Sequence, residues 1–315
     1  MVVPLLRRLG VFAVTLVVAS IVTFVLLSIL PGNAARVALG VEATEEQVAA
    51  QETLMGLDRP PLERYLDWFG HLLVGDFGTS AVSQQQIGPQ IADALAITGI
   101  LVGTGIVLAL LFAVPVGILA AARQGKPDGV LLSGISQVGV SIPGFLAGML
   151  LVTVFAVQLR WLPAGGWSAP GDGFGEFLQH LVLPAVALGA VQGAVLSRYV
   201  RSAVLEVMRE DFLRTARAKG LTPARALVKH GLRNAAIPVM TVLGVQIAAL
   251  LIGTVVVERV FAIPGLGSLL LDTVALRDLP AIQGIVMVLV GLVLVINLLI
   301  DIARTLIDPR LRSAS

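Results

Sequence analysis

Side chains with the means to do chemistry gather in one stretch of this chain. Nine arginines and lysines fall between Arg198 and Arg233, against three acids, Glu206, Glu210 and Asp211. Within it Arg214, Thr215, Ala216, Arg217, Lys219, Gly220, Leu221, Thr222 and Pro223 set cationic donors beside small residues and a turn. Such a set can grip anions or present a close-fitting knob to another macromolecule. Covalent chemistry is not within its means. The chain has no cysteine, and its three histidines, at 71, 180 and 230, are far apart with no HExxH spacing. Disulfides, thiol nucleophiles and the usual zinc patterns are therefore excluded. No catalytic residue and no metal ligand is assigned.

The basic stretch needs helices to hold it. Val200, Val204, Met208, Phe212 and Ala216 recur every four residues, the apolar stripe of an amphipathic helix. Glu210 and Arg214 stand at i,i+4, an acid-to-base pair. Gly220 suits a left-handed helix end. Thr222 suits an N-cap, with Pro223 at the first helical position of a second helix reaching toward Asn234. The expectation is helix, tight turn, helix. Ala216, Ala218, Gly220 and Ala224 keep the turn small enough for a partner to approach. A DNA reader with this charge would need a soluble domain of its own. A headgroup-binding helix pair beside a bilayer fits the charge, and a rigid docking knob for a partner protein also fits the shape.

The rest of the chain is apolar. Hydrophobic residues make up 57% of its 315 residues and charged ones 13%, about half the charged share of a soluble domain. Six runs are long enough to cross a bilayer, which takes about 20 helical residues. They are Leu9–Leu30, and then roughly 97–122, 130–157, 181–196, 236–257 and 284–307. The fourth is short, with Tyr199 able to extend it, and Pro143-Gly144 suggests a kink in the third. The first run exceeds a signal-peptide core and no A-x-A site follows, so it is expected to stay as a span. With the N-terminus inside, 16 lysines and arginines fall on the inner side and 6 on the outer. Cationic excess is retained in the cytoplasm. The chain is accordingly an all-α integral membrane protein with six spans and both termini cytoplasmic.

Three parts follow: residues 1–30 with the first span, an extracytoplasmic insert over 31–96, and a core over 97–315 that carries the cytoplasmic loop 198–233. In the insert, Thr44 and Gln47 form a capping-box pattern. Gly56 breaks that helix and Pro60-Pro61 opens another, whose stripe Leu62, Tyr65, Leu66, Phe69, Leu72 and Leu73 packs on spans or membrane, or docks an external partner. Trp161 and Trp167 flank the second outer loop, and a short apolar helix follows Pro264-Gly265 in the third. Ionisable groups are scarce in the spans, with Asp301 near an inner end and Glu258 just past an outer end. Ion-coupled carriers need such groups, which disfavours self-powered transport. Gln137, Ser141, Gln192, Gln246 and Asn297 are expected mainly in interhelical hydrogen bonds. Ser141, Pro143 and Gln246 are also candidates for a pore or gate.

These residues carry a resemblance. "RTARAKGL" (Arg214–Leu221) followed by "HGLRNAAIPV" (His230–Val239) resembles the cytoplasmic coupling signature of ABC-importer permeases. The general signature is Glu-Ala-Ala, three further residues and then Gly; here the positions read Arg214-Thr215-Ala216 and Gly220, without the acid. "MGLDRP" (Met55–Pro60), "RYL" (Arg64–Leu66), "GDFGTS" (Gly75–Ser80), "SIPGF" (Ser141–Phe145), "HLVLPAVALG" (His180–Gly189), the run Val255–Gly284 and "DPRLR" (Asp308–Arg312) resemble the dipeptide/oligopeptide/nickel permease family of such importers. The resemblance implies the type I ABC importer permease fold and a pore-forming subunit for di- or oligopeptides, or for nickel chelates or another small solute. It implies a second homologous permease (a heterodimer), two cytoplasmic ATP-binding subunits that hold ATP and Mg, and an extracytoplasmic substrate-binding protein. It places the chain in the plasma membrane of a prokaryote, with no nucleic-acid partner. No GxxxxGK[ST] loop is present, so the motor is expected on another polypeptide.

Overall fold

A computed structural model describes residues 2–29, 34–40 and 43–307. Among them the chain is helical, with a single isolated bridge, Thr79 to Gln86, outside the helices. Five helices are long and apolar enough to cross a membrane, or six if one bent pair is a single span. In chain order the helices are α1 Val2–Ile29, α2 Ala34–Leu39, α3 Glu45–Leu54, α4 Pro61–Leu73, α5 Ile87–Ala122, α6 Pro127–Ser141 and α7 Gly144–Leu151, the last continuing as a π-helix over Val152–Gln158. There follow α8 Phe174–Met208, α9 Asp211–Ala218, α10 Pro223–Ala226 running through a π-turn Leu227–Gly231 into α11 Leu232–Val260, then α12 Leu266–Ala275 and α13 Leu279–Ile307. Asp308–Arg312, part of the family resemblance, lies outside the described residues, as do Leu30 and Pro31 at the first boundary.

The spans run longer than their apolar cores. The helix α5 begins ten residues before Ile97, because Ile87, Ile91 and Ala94 form a buried stripe with Leu266, Ala281 and Ile285. The fourth span, short by composition, extends over 35 residues. The third is broken rather than kinked: α6 and the α7–π segment meet at 100°. Pro143 cannot donate a backbone hydrogen bond and holds its predecessor extended. Ile142 accordingly has φ −88° and ψ 120°. Glu258 lies inside α11, not past its end, and is fully buried.

The chain divides into two compact units, one of Gly99–Ile263 with the segment from Ile296 on, the other of Val2–Thr98 with Pro264–Val295. In the first unit α8 is central, packed on α6, α7 and α11. Small residues set the spacing between α5 and α8. A Cβ on Gly189 would lie 2.7 Å from the Leu108 Cβ, and one on Gly117 would lie 2.6 Å from the Val200 Cβ. Close backbone approach through small residues is the usual packing device of membrane helices. The buried Ser197 hydroxyl donates to Ser136 at 2.7 Å and joins α8 to α6.

In the second unit the capping box on α3 forms, with the Gln47 amide donating to Thr44 Oγ1 and the Thr44 amide to Gln47 Oε1. The helix α4 begins at Pro61 and buries none of its residues fully. One flank of its apolar face rests on α1: Tyr65 meets Phe24 edge-on at 5.5 Å and its hydroxyl lies 2.9 Å from Ser20 Oγ. Leu62, Leu66 and Leu73 on the other flank are exposed. Buried Asp278 binds the loop before α5, accepting from the Ser80 hydroxyl and, at 3.1 Å, from the Ala81 amide.

Candidate coupling site

The basic loop is built in four steps. The helix α8 stops at Met208, and α9 starts after a break at Arg209-Glu210. One continuous helix to Gly220 was expected, and the break changes which residue faces in. Leu213 is buried, and Phe212, which the period-four stripe placed inside, is 39% exposed. The helix restarts with a new phase, so the stripe set by Val200 and Val204 cannot carry through. Restarting at Asp211 also changes the ion pair. Arg214 Nη1 meets Asp211 Oδ1 at 3.4 Å, with Glu210 serving as the N-cap position of α9. Both side chains of this pair are largely exposed, so it adds little stability.

The turn forms as the residues dictate. Gly220 has φ +91°, the left-handed region that side chains disfavour. Its amide donates to Arg217 O at 2.9 Å, and the Leu221 amide donates to Ala216 O at 3.3 Å. These two bonds make a Schellman motif that satisfies carbonyls left open at the end of α9. Thr222 then caps the next helix, its Oγ1 accepting from the Arg225 amide at 3.4 Å, with Pro223 at the first helical position.

The second helix of the loop does not end near Asn234. It passes through the π-turn, where the Leu232 amide donates to Leu227 O, and becomes the fifth span, so that Pro223–Val260 is a single 38-residue helix. The wider π-turn places Gly231 against the loop's core. A Cβ there would meet Leu227 Cδ1 at 2.8 Å and Leu213 Cδ1 at 3.4 Å. Leu213, Ala216, Ala226 and Leu227 join Val200, Val204 and Val207 in one buried cluster, with Leu221 packed on it. Ala216, expected on the apolar stripe and also beside the docking surface, is part of that core. The surface presented outward carries Arg214, Thr215, Arg217, Ala218, Lys219, Gly220, Thr222, Pro223 and Arg225, all exposed. The inward role of Leu213 and Gly231 was missed, although a glycine among large apolar residues signals close approach.

The candidate gate residues occupy two places. Ser141 and Pro143 stand at the 100° bend, where the exposed Ser141 hydroxyl donates to Gln137 O in its own helix at 3.1 Å. Gln246 on α11 donates through Nε2 to Gln192 Oε1 on α8 at 2.9 Å, an interhelical bond of the kind expected for polar groups in spans. Among the described residues no group of three or more His, Asp or Glu side chains is gathered for a metal ion.

Two family models match the chain. One is described as binding-protein-dependent transport system inner membrane component and matches residues 113–313. The other is its N-terminal counterpart and matches residues 1–100. The glutathione transport system permease protein GsiC of Salmonella choleraesuis (strain SC-B67) is 40% identical over 308 residues, covering 98% of each chain. GsiC of Escherichia coli (strain K12) is 39% identical over 306 residues, 97% of each. Among solved structures, a chain of the MetNI methionine ABC transporter matches with TM-score 0.56 and 18% identity, over 69% of this chain and 96% of its own. A chain of an amino acid ABC transporter matches with TM-score 0.52 and 17% identity, over 70% and 94%. These two carry the fold, and the family matches carry the role of a transport subunit rather than an enzyme. The chain belongs to the binding-protein-dependent transport system inner membrane components, as a multi-pass permease subunit of an ABC importer.

Proposed function

We propose that the chain forms half of the pore of an importer for short peptides, glutathione-like tripeptides among them. The relatives at 39–40% identity over nearly their whole length bear glutathione transport in their names, which supports this substrate class. The pore is completed by a second, homologous permease, and an extracytoplasmic binding protein delivers the peptide. Two ATPase subunits in the cytoplasm hold ATP and Mg. Both chain termini and the loop 198–233 lie on the cytoplasmic side, where cationic residues concentrate.

The observation that carries the mechanism is the capped reversal at Gly220, packed on its own apolar core and continuous with a span. In this reading residues 214–223 seat in a cleft of the ATPase. ATP-driven closure of the ATPase pair displaces the turn, and the rod from Pro223 transmits the motion. The bend at Ser141-Pro143 and the Gln192–Gln246 bond are the candidate places where the path opens and closes. The energy for the cycle comes from the ATPase partners.

The test is reconstitution of the chain with its ATPases, second permease and binding protein in proteoliposomes. Glutathione and tripeptides are expected to stimulate ATP hydrolysis and accumulate inside in an ATP-dependent way. Assembly without peptide-dependent hydrolysis or uptake would overturn the reading.

A further inference from the structure

The second unit holds a cavity of about 540 Å³, lined by the insert together with Phe24 of α1 and Pro280 and Gln283 of α13. Its apolar lining includes Phe24, Trp68 and Phe77, and in chain order its two arginines precede its two aspartates. Arg59, in the turn before α4, and Arg64, in its first turn, line one end. His71, in its last turn, and Asp76 line the other, with Asp67 between. His71 is engaged, its Nδ1 at 3.0 Å from Asp76 and its Nε2 at 3.8 Å from Asp67. The two arginines are not: among the described residues neither guanidinium meets a carboxylate. Arg64 instead lies over the Phe24 ring at 5.9 Å.

We infer that this cavity binds the free termini of a short zwitterionic peptide, its carboxylate on Arg59 and Arg64 and its ammonium toward Asp67 and Asp76. Arginine guanidinium is the usual partner for a carboxylate, which it takes through paired N–H donors. Aspartates at the far end disfavour a purely anionic headgroup and suit an ammonium. The spacing agrees with the ligand: Arg64 and His71 are seven residues apart on one helix, roughly 10 Å at 1.5 Å per residue. An extended tripeptide spans about the same, at roughly 3.3–3.6 Å per residue. The aromatic lining covers the peptide backbone between its charged ends. The site rests on the peptide reading of the importer and adds to it a place on the permease itself, apart from the loop that receives force.

The test uses the full chain in phosphatidylcholine nanodiscs without the binding protein. Trp161→Phe and Trp167→Phe leave Trp68, in the cavity lining, as the single fluorescent reporter. Triglycine is expected to give a saturable change, and triglycine amide, which lacks the carboxylate, to bind at least tenfold more weakly. Arg59→Gln with Arg64→Gln is expected to weaken triglycine by at least tenfold, and Arg64→Lys to restore part of that loss. An amide that binds as well as the acid, a double variant that binds as well as the parent, or no saturable response would each overturn the inference. So would a response that needs phosphatidylglycerol and not peptide, which would assign the arginines to a lipid headgroup. Peptide-stimulated ATP hydrolysis by the whole complex, measured beside it, separates the two claims. Stimulation without binding here removes only this site, and binding without stimulation removes the import reading.

Discussion

The basic loop over 198–233 and the insert over 31–96 are made of similar parts and finished differently. Each sets short helices outside the spans and ends one of them with a glycine in the left-handed region, Gly220 in the loop and Gly56 in the insert. The loop closes over its own apolar core: Leu213, Ala216, Ala226 and Leu227 are all buried. The helix α4 of the insert buries no residue fully and leaves Leu62, Leu66 and Leu73 open. Closed packing of this kind suits the proposed coupling role, because slack in it would absorb a displacement. The insert leaves half of an apolar face open, and among the described residues Arg59 and Arg64 meet no carboxylate.

That contrast can be broken most sharply at Gly220. Gly220→Val places a β-branched residue at φ +91°, a strained conformation for any side chain. Peptide uptake by the reconstituted complex is expected to fall more than tenfold while membrane insertion is kept. Uptake at the parent's level would mean that the turn is not the joint. Next in size, Leu213→Ala should cost about 2–5 kcal/mol as a buried large-to-small change. Leu66→Ala, on the open flank of α4, should stay within about 0.5 kcal/mol. Thermal unfolding of both variants in the same detergent compares them, and equal shifts would erase the distinction between the regions. Gly231→Ala should cost about 1–3 kcal/mol through overpacking against Leu227 and Leu213, read as a lowered midpoint in the same assay.

The smallest effect is on the insert side. The backbone N–H of Gly78, then the side chain of His71, hold the Asp76 carboxyl below its ordinary value. A depressed carboxylate stabilises the fold above its unfolded value, and the contribution is lost as pH falls through the folded value. Asp76→Asn should therefore flatten the acid limb of the stability profile below the ordinary carboxylate range. An unchanged acid limb would show that the bond to Gly78 does not hold the end of α4.

Local signals in the sequence were read well. The Thr44–Gln47 box, the Gly220 turn and the Thr222-Pro223 helix start depend on a few neighbouring residues, and all formed as expected. What failed depends on packing between distant parts. Nothing near Arg209 announces a break; the break is needed for Leu213 to reach Leu227. The early start of α5 was written in Ile87, Ile91 and Ala94 at helical spacing. Gly88, Pro89 and Asp93 between them lowered the apolar average and hid it. Pro143-Gly144 signalled a kink, but a bend of 100° reflects where two helices find partners rather than what proline alone requires. Glu258 looked like a loop residue because a buried carboxylate in an apolar helix is costly. Of the residues on the loop's apolar stripe, Phe212 changed sides, with Leu213 buried in its place, since helical phase after a break cannot be counted from before it.

The helix from Pro223 to Val260 has a mechanical consequence. At 38 residues it is about 57 Å long, and its foot, Pro223, follows directly on Thr222, which caps it onto the turn. A stick of that length magnifies angle into travel: a tilt of about 10° about one end sweeps the other through roughly 10 Å, more than the width of an extended peptide backbone. The π-turn at Leu227–Gly231, the one place among the described residues of this stick where the hydrogen bonding changes period, sits within a few residues of the foot. Compliance there, close to the point of attack, would trade reach for tolerance. The same stroke could then serve ATPase clefts of slightly different depth without altering what happens at the far end.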